Sequence, residues 1–206
     1  MKKNKILVYV FTLFALLGCE PTVNVKNPAI PDQKENEDVP KETGCIDFES
    51  PFIVGTMYKG GNSGRIVYTS PDNIQMSTHF FHWTNGGTLG SAGIEIPPKL
   101  FAAGQAIFMN NINLGFDFTK VGFPVSKVAF QYLDLGGFEN FSVNDQKVYI
   151  GELRKVSSTI AGVNIQILPN SQFPQNTSGK VIITGNIETV KIGGQELFID
   201  NVCMGK

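Results

Sequence analysis

The chain has 206 residues, of which 42% are hydrophobic, and its 17 basic and 18 acidic side chains leave a net charge of −1. This composition can bury a core, and the part of the chain beyond the N-terminal segments, about 160 residues, suits one domain. Lys and Arg are not concentrated in any stretch that would make a basic surface, so the chain is not expected to bind nucleic acid.

The N-terminus has the pattern of an export signal. A basic head at residues 2–5 precedes an apolar run over residues 6–17, which is too short to span a bilayer of about 30 Å. Leu16-Leu17-Gly18 then places a small residue directly before Cys19. This end resembles the lipobox of bacterial lipoproteins, in which the cysteine becomes the lipidated first residue. The resemblance implies a signal peptide at 1–18, lipidation of Cys19 and an outer-membrane anchor in the bacterial cell envelope. The alternative is an ordinary secretory signal that happens to contain a cysteine.

A tether is predicted at 19–44. It contains four prolines and the charged stretch 32–38, and its few apolar residues follow neither a helical nor a strand period. Such a composition cannot bury enough apolar surface to offset the entropy of ordering the chain. We therefore expect a disordered connection between the lipid and the folded domain.

The domain predicted at 45–206 consists of short segments rich in β-branched and aromatic residues, separated by Gly, Pro, Asn and Asp. Residues 127–133 and 163–168 alternate between apolar and polar side chains, as strands with one buried face do. About ten to twelve such strands predict an all-β fold, an antiparallel β-sandwich of jelly-roll type. Helix is expected for at most a turn or two, near Pro98–Ala102. The stretch Asp134–Glu139 is interpreted as a loop between strands.

Cys45 and Cys203 lie at the two ends of the predicted domain. Disulfides persist in exported proteins, so a bridge that ties the first strand to the last is predicted. The alternative is a pair of reduced, buried cysteines.

The densest aromatic cluster is His79-Phe80-Phe81-His82-Trp83, which contains both histidines and the only tryptophan. Sugar rings stack on aromatic faces, and the following Asn85 opens a glycine-containing turn. We predict a ligand surface formed by Trp83, His79, His82 and Asn85. The alternative places the aromatic rings in the core. In a regular strand the two histidines point to opposite faces, which disfavours a shared metal site.

Polar amides at Asn110, Asn111 and Asn113 stand in an apolar neighbourhood. They could bond sugar hydroxyls, although turns are the commoner use of asparagine.

Sequence signatures of an enzyme are missing, since the chain has no nucleophile elbow, zinc-protease motif or phosphate loop. A glycosidase needs two carboxylates about 5–10 Å apart, and no spacing selects a pair among the available carboxylates, which are Asp117, Asp134, Glu139 and Glu152. The chain is therefore predicted not to be an enzyme. A hydrolase with an unrecognised carboxylate pair is the alternative.

The two ends of the domain carry a family resemblance. It opens with Cys45-Ile46-Asp47-Phe48-Glu49 and closes with a strand that contains Ile199-Asp200-Asn201-Val202-Cys203. These ends resemble MAM-type and galactose-binding-like jelly rolls, which are extracellular adhesion and carbohydrate-binding modules. The resemblance implies one structural calcium ion, with Asp47, Glu49 and Asp200 as candidate ligands.

Together these patterns predict a membrane-anchored module that binds an extracellular glycan. The alternative from another class is a structural or assembly lipoprotein whose partner is a second envelope protein.

Overall fold

The computed structural model describes residues 42–59, 62–173 and 177–206. The predicted signal peptide, Cys19 and nearly all of the tether therefore lie outside the described residues. Within them, strands dominate, and the one helical element is a 3₁₀ turn at Leu153–Lys155. The segment Pro98–Ala102 is a turn closed by the Phe101 N–H on the Pro98 carbonyl, so the expected helix there was wrong. No helix in the described part is long and apolar enough to cross a membrane.

The strands are β1 (Glu42–Ile46), β2 (Met57–Lys59), β3 (Arg65–Thr69), β4 (Gln75–Trp83), β5 (Gly86–Thr88), β6 (Ser91–Glu95), β7 (Ala106–Asn110), β8 (Ile112–Asp117), β9 (Val125–Val143), β10 (Tyr149–Gly151), β11 (Thr159–Ile160), β12 (Val163–Pro169), β13 (Ser178–Ile187) and β14 (Thr189–Gly205). The alternation of apolar and polar side chains along the sequence explains why these segments form strands with one buried face. In β12, for example, Val163 and Ile165 are buried while Asn164 and Gln166 are exposed.

All strand pairs are antiparallel, and the main hydrogen-bonded path runs β11-β12-β13-β9-β14-β7-β6-β2. A second branch leaves β14 through β8 to β4, which also pairs with β3 and β5. The all-β, antiparallel prediction is confirmed, and the arrangement is consistent with a β-sandwich. The jelly-roll order stays a prediction.

The long strands β9 and β14 pair with each other and organise the sheet. On its other side, β14 pairs successively with β8, β7 and β1, while β9 pairs with β13 and β10. Both strands are irregular at mid-length. There β9 advances from Asp134 to Glu139 while β14 advances only from Gly194 to Leu197. Positive φ angles at Gly136 and Gly137 accommodate the extra β9 residues. The expectation of a loop at Asp134–Glu139 was therefore wrong, because this stretch is a bulge inside one strand.

The disulfide between Cys45 and Cys203 is confirmed. These residues face each other in the register of β1 and β14, with their Cα atoms 4.0 Å apart. The bridge thus joins the first and last strands across a sequence separation of 158 residues. Strand β1 begins at Glu42, slightly before the predicted domain start at Cys45, because Glu42 and Gly44 already pair with the end of β14.

Candidate functional site

The aromatic cluster forms the second half of β4, where the strand changes partner. As far as Phe80 the strand pairs with β8, and from Phe81 onward it pairs with β5. The buried positions Thr78 and Phe81 consequently break the alternation of a regular strand. His79 and His82 therefore line the same groove, and the expectation of opposite faces was wrong.

This histidine groove has a volume of about 340 Å³ and mixes one exposed aromatic ring with hydroxyl, amide and charged groups. It is lined by Ser63, His79, Phe80, His82, Asn113, Ser142, Asp145, Gln146, Val148 and Lys191. Phe80 is 44% exposed, although large apolar side chains are usually buried. A smaller hollow of about 150 Å³ shares His79, Asp145 and Lys191, so the groove continues past them.

The polar groups of the groove are held in place by hydrogen bonds. His79 contacts the Ser77 hydroxyl through Nε2 at 2.9 Å, and Lys191 forms an ion pair with Asp145. Burial, followed by the positive charge of Lys191, lowers the pKa of His79. Its ring is therefore neutral at neutral pH, and its Nδ1 lies 3.5 Å from the Ser63 hydroxyl, so both ring nitrogens face hydroxyl groups.

Two buried asparagines support the floor of the groove. The Asn140 amide accepts the His82 N–H at 2.6 Å and donates to the His82 carbonyl at 3.0 Å. Asn113 donates to the Phe80 carbonyl at 2.8 Å and to the Asn140 side chain at 3.1 Å. These side-chain bonds replace the backbone hydrogen bonds to β8 that β4 no longer makes beyond Phe80. The apolar neighbourhood of Asn113 drew attention to it in the sequence, whereas nothing there marked Asn140.

Trp83 and Asn85 do not line this groove. Trp83 is half-buried at the end of β4, with its ring edge-on to Phe81 at a centroid distance of 5.0 Å. Asn85 is exposed in the tight turn to β5. Phe80 is the aromatic residue that the structure places beside the histidines.

The three predicted calcium ligands have partners within the chain. Glu49 accepts the Gln105 N–H at 2.6 Å, and Asp47 accepts the Glu49 N–H at 3.1 Å. Asp200 is 4% exposed and accepts two bonds from Asn201. Burial, with the charges of Glu49 and Asp47, raises the pKa of Asp200 to about 6. No group of three or more His, Cys, Asp or Glu among the described residues is arranged to hold a metal, so calcium stays a prediction.

A second polar cluster surrounds the bulge of β9. The carboxyl groups of Asp134 and Glu139 lie within hydrogen-bonding reach of each other, and Glu139 Oε2 accepts the Leu153 N–H at 2.8 Å. Burial, followed by the charge of Asp134, raises the pKa of Glu139 to about 8. This contact is closer than the carboxylate separation that glycosidases use. Of the other candidates, Asp117 accepts bonds from Thr119, and Glu152 pairs with two cations.

Comparison of the chain with protein-family models, with curated proteins and with solved structures found no match. The lipobox and MAM-like resemblances therefore rest on the residues that carry them.

Proposed function

We propose that the protein is a membrane-anchored, extracytoplasmic binding module without enzymatic activity, and that it binds a glycan along the histidine groove. The anchor is the lipid on Cys19, and the location is the outer membrane of a bacterial cell envelope. The observation that carries the binding proposal is the exposed ring of Phe80, which lies among hydroxyl, amide and imidazole groups.

The chemistry of the groove matches a sugar. A pyranose presents C–H faces that pack on an aromatic ring and hydroxyls that both donate and accept hydrogen bonds. Phe80 supplies the ring, and the His82 imidazole and the Ser63 hydroxyl, which also line the groove, supply hydrogen-bonding groups. The neighbouring hollow allows the ligand to extend beyond one sugar unit.

The groove is also ordered in the absence of a ligand. The Asn113 and Asn140 bonds fix the backbone of β4 at Phe80 and at His82. A surface that is ordered before binding loses less conformational entropy when the ligand arrives.

A glycan array probed with the detergent-solubilised protein tests this proposal. We expect binding to at least one glycan and a loss of about tenfold or more for Phe80→Ala, which corresponds to roughly 1–3 kcal/mol for a stacking contact. Phe138→Ala is the matched control, because Phe138 is 50% exposed but lies outside the groove. Equal weakening by both variants, or no glycan bound at all, would contradict the proposal.

A second candidate function is assembly with another envelope protein. It is favoured by exposed apolar side chains around the β2–β6 edge, namely Ile53, Val54, Met57, Ile96 and Leu100. Exposed apolar surface at a sheet edge is a feature that protein interfaces use. Crosslinking in intact cells should then capture a partner through this edge, and Ile53→Asp together with Leu100→Asp should abolish the capture.

A further inference from the structure

A second pocket, which we call the acid pocket, lies beside the bulge of β9 and shares no lining residue with the histidine groove. Its volume is about 240 Å³, which is below the roughly 300–1,000 Å³ typical of drug-sized ligands and suits a single small ring or an amino-acid-sized molecule. The lining residues are Tyr132, Asp134, Leu135, Gly136, Gly137, Glu152, Leu153, Arg154 and Thr177.

One buried polar atom that lines this pocket has no protein partner among the described residues. Tyr132 is 2% exposed and lines the pocket, yet its hydroxyl makes no hydrogen bond. Glu139 does not line the pocket, but it is also fully buried, and in the described part of the chain the only partner within reach of its Oε1 is a proton shared with the Asp134 carboxyl. Buried polar side-chain atoms are hydrogen-bonded in the large majority of cases, so the Tyr132 hydroxyl needs a partner.

The charges around the pocket show what kind of partner is needed. Asp134 and Glu139 are neighbouring carboxyls, and two carboxylates this close cannot both ionise without a cation or proton between them. Arg154 lines the pocket, and its charge lowers the pKa of Asp134, but it is ion-paired with Glu152, whose negative charge acts on both carboxyls. A cationic hydrogen-bond donor would satisfy the carboxyl pair and the Tyr132 oxygen together.

We propose that the acid pocket binds the primary ammonium group of a small polar ligand, with Asp134 as its counter-ion and the Tyr132 hydroxyl as a second contact. An ammonium group has three donors and no acceptor, so it can bond both oxygens at once. Its positive charge also replaces the proton shared by Asp134 and Glu139. Binding therefore releases one proton from Glu139 to solvent.

Proton release separates this proposal from simple sugar binding. The groups that influence Glu139 electrostatically are Asp134 and Tyr132 on β9, Tyr149 on β10, and Glu152 at the start of the 3₁₀ turn. Burial raises the pKa of both tyrosines, and hydrogen bonds from Lys155 and Arg154 lower the pKa of Glu152, so the released proton comes from the carboxyl pair. Affinity for an ammonium ion should rise up to about tenfold per pH unit between about pH 6 and 8.

Titration calorimetry of the detergent-solubilised protein with three probes tests the proposal. Methylammonium carries the charge alone, glucose carries the ring alone, and glucosamine carries both at about pH 6.5. We expect heats from methylammonium and glucosamine that depend on the ionisation enthalpy of the buffer, because a proton is released. Equal affinity for glucose and glucosamine would overturn the proposal, as would the absence of methylammonium binding.

Variants locate the binding in the acid pocket. Asp134→Asn should weaken methylammonium at least tenfold, and Tyr132→Phe should weaken it several-fold. Glu139→Gln keeps Asp134 as counter-ion but has no proton to release, so its binding should persist without pH dependence. Asp72→Asn is the control, because Asp72 is exposed and lies outside the pocket. Unchanged binding in a folded Asp134→Asn protein, or wild-type proton release in Glu139→Gln, would refute the assignment.

Discussion

Replacing Glu139 with glutamine should stabilise the protein at alkaline pH. The wild-type carboxyl is fully buried beside Asp134, and its pKa rises from 4.5 to about 8. Between these values the native state holds a proton that the unfolded chain has released. The free energy of unfolding therefore falls as pH rises through this window and levels off above it.

The size of the effect follows from the shift. One pKa unit corresponds to about 1.4 kcal/mol, so the wild type loses up to about 3–5 kcal/mol between pH 4.5 and pH 8. Glutamine is neutral throughout this range. Its carbonyl can accept the Leu153 N–H that Glu139 now accepts, and its amide can donate to Asp134. The variant should match the wild type near pH 4.5 and exceed it by about 3–5 kcal/mol at pH 8.

Guanidinium unfolding followed by circular dichroism from about pH 4.5 to 9 measures this difference. Asp200 also lowers the stability as the pH rises toward about 6, but the difference between the two proteins removes that contribution. Asp72→Asn is the control, because Asp72 is exposed and lies outside the acid pocket. A Glu139→Gln protein that keeps the wild-type pH slope would refute the shared-proton interpretation.

Three further predictions concern the fold, and one concerns the anchor. Converting Cys45 and Cys203 to serine should lower the free energy of unfolding by about 2–5 kcal/mol in guanidinium titrations. Trp83→Ala should cost about 0.5–1.5 kcal/mol for its edge contact with Phe81, and a loss above about 3 kcal/mol would place Trp83 in the core. If Asp47, Glu49 and Asp200 hold calcium, excess chelator should lower the melting temperature and added calcium should restore it. A melting temperature that chelator leaves unchanged would contradict calcium binding. Cys19→Ala should move the protein out of the membrane fraction, and an unmodified wild-type N-terminus by mass spectrometry would contradict lipidation.

The sequence predicted most of the fold because its strands alternate clearly. Short segments such as β12 place apolar side chains at every second position, and the terminal cysteines indicated which strands meet. For the long strand β9 the sequence instead predicted a loop around Gly136-Gly137, because paired glycines more often mark a turn than a bulge. Local pattern cannot tell these two cases apart.

The sites were harder to predict because both depend on irregular strands. Regular alternation puts His79 and His82 on opposite faces, and only the change of partner from β8 to β5 brings them into one groove. A regular strand would separate Asp134 and Glu139 by roughly 16 Å, and the bulge brings their carboxyls together. Lys191 reaches the histidine groove from a distant part of the chain, so no sequence spacing could have indicated it.

The most direct test of glycan binding uses the histidines themselves. The chain contains only two, and both line the proposed groove, so ¹H–¹⁵N spectra of their rings report on that groove alone. Titration with a glycan selected from the array should shift the ring signals of His79 and His82 saturably in the wild type and in Phe138→Ala, and far less in Phe80→Ala. A glycan that binds the protein and shifts neither histidine would contradict the proposed site.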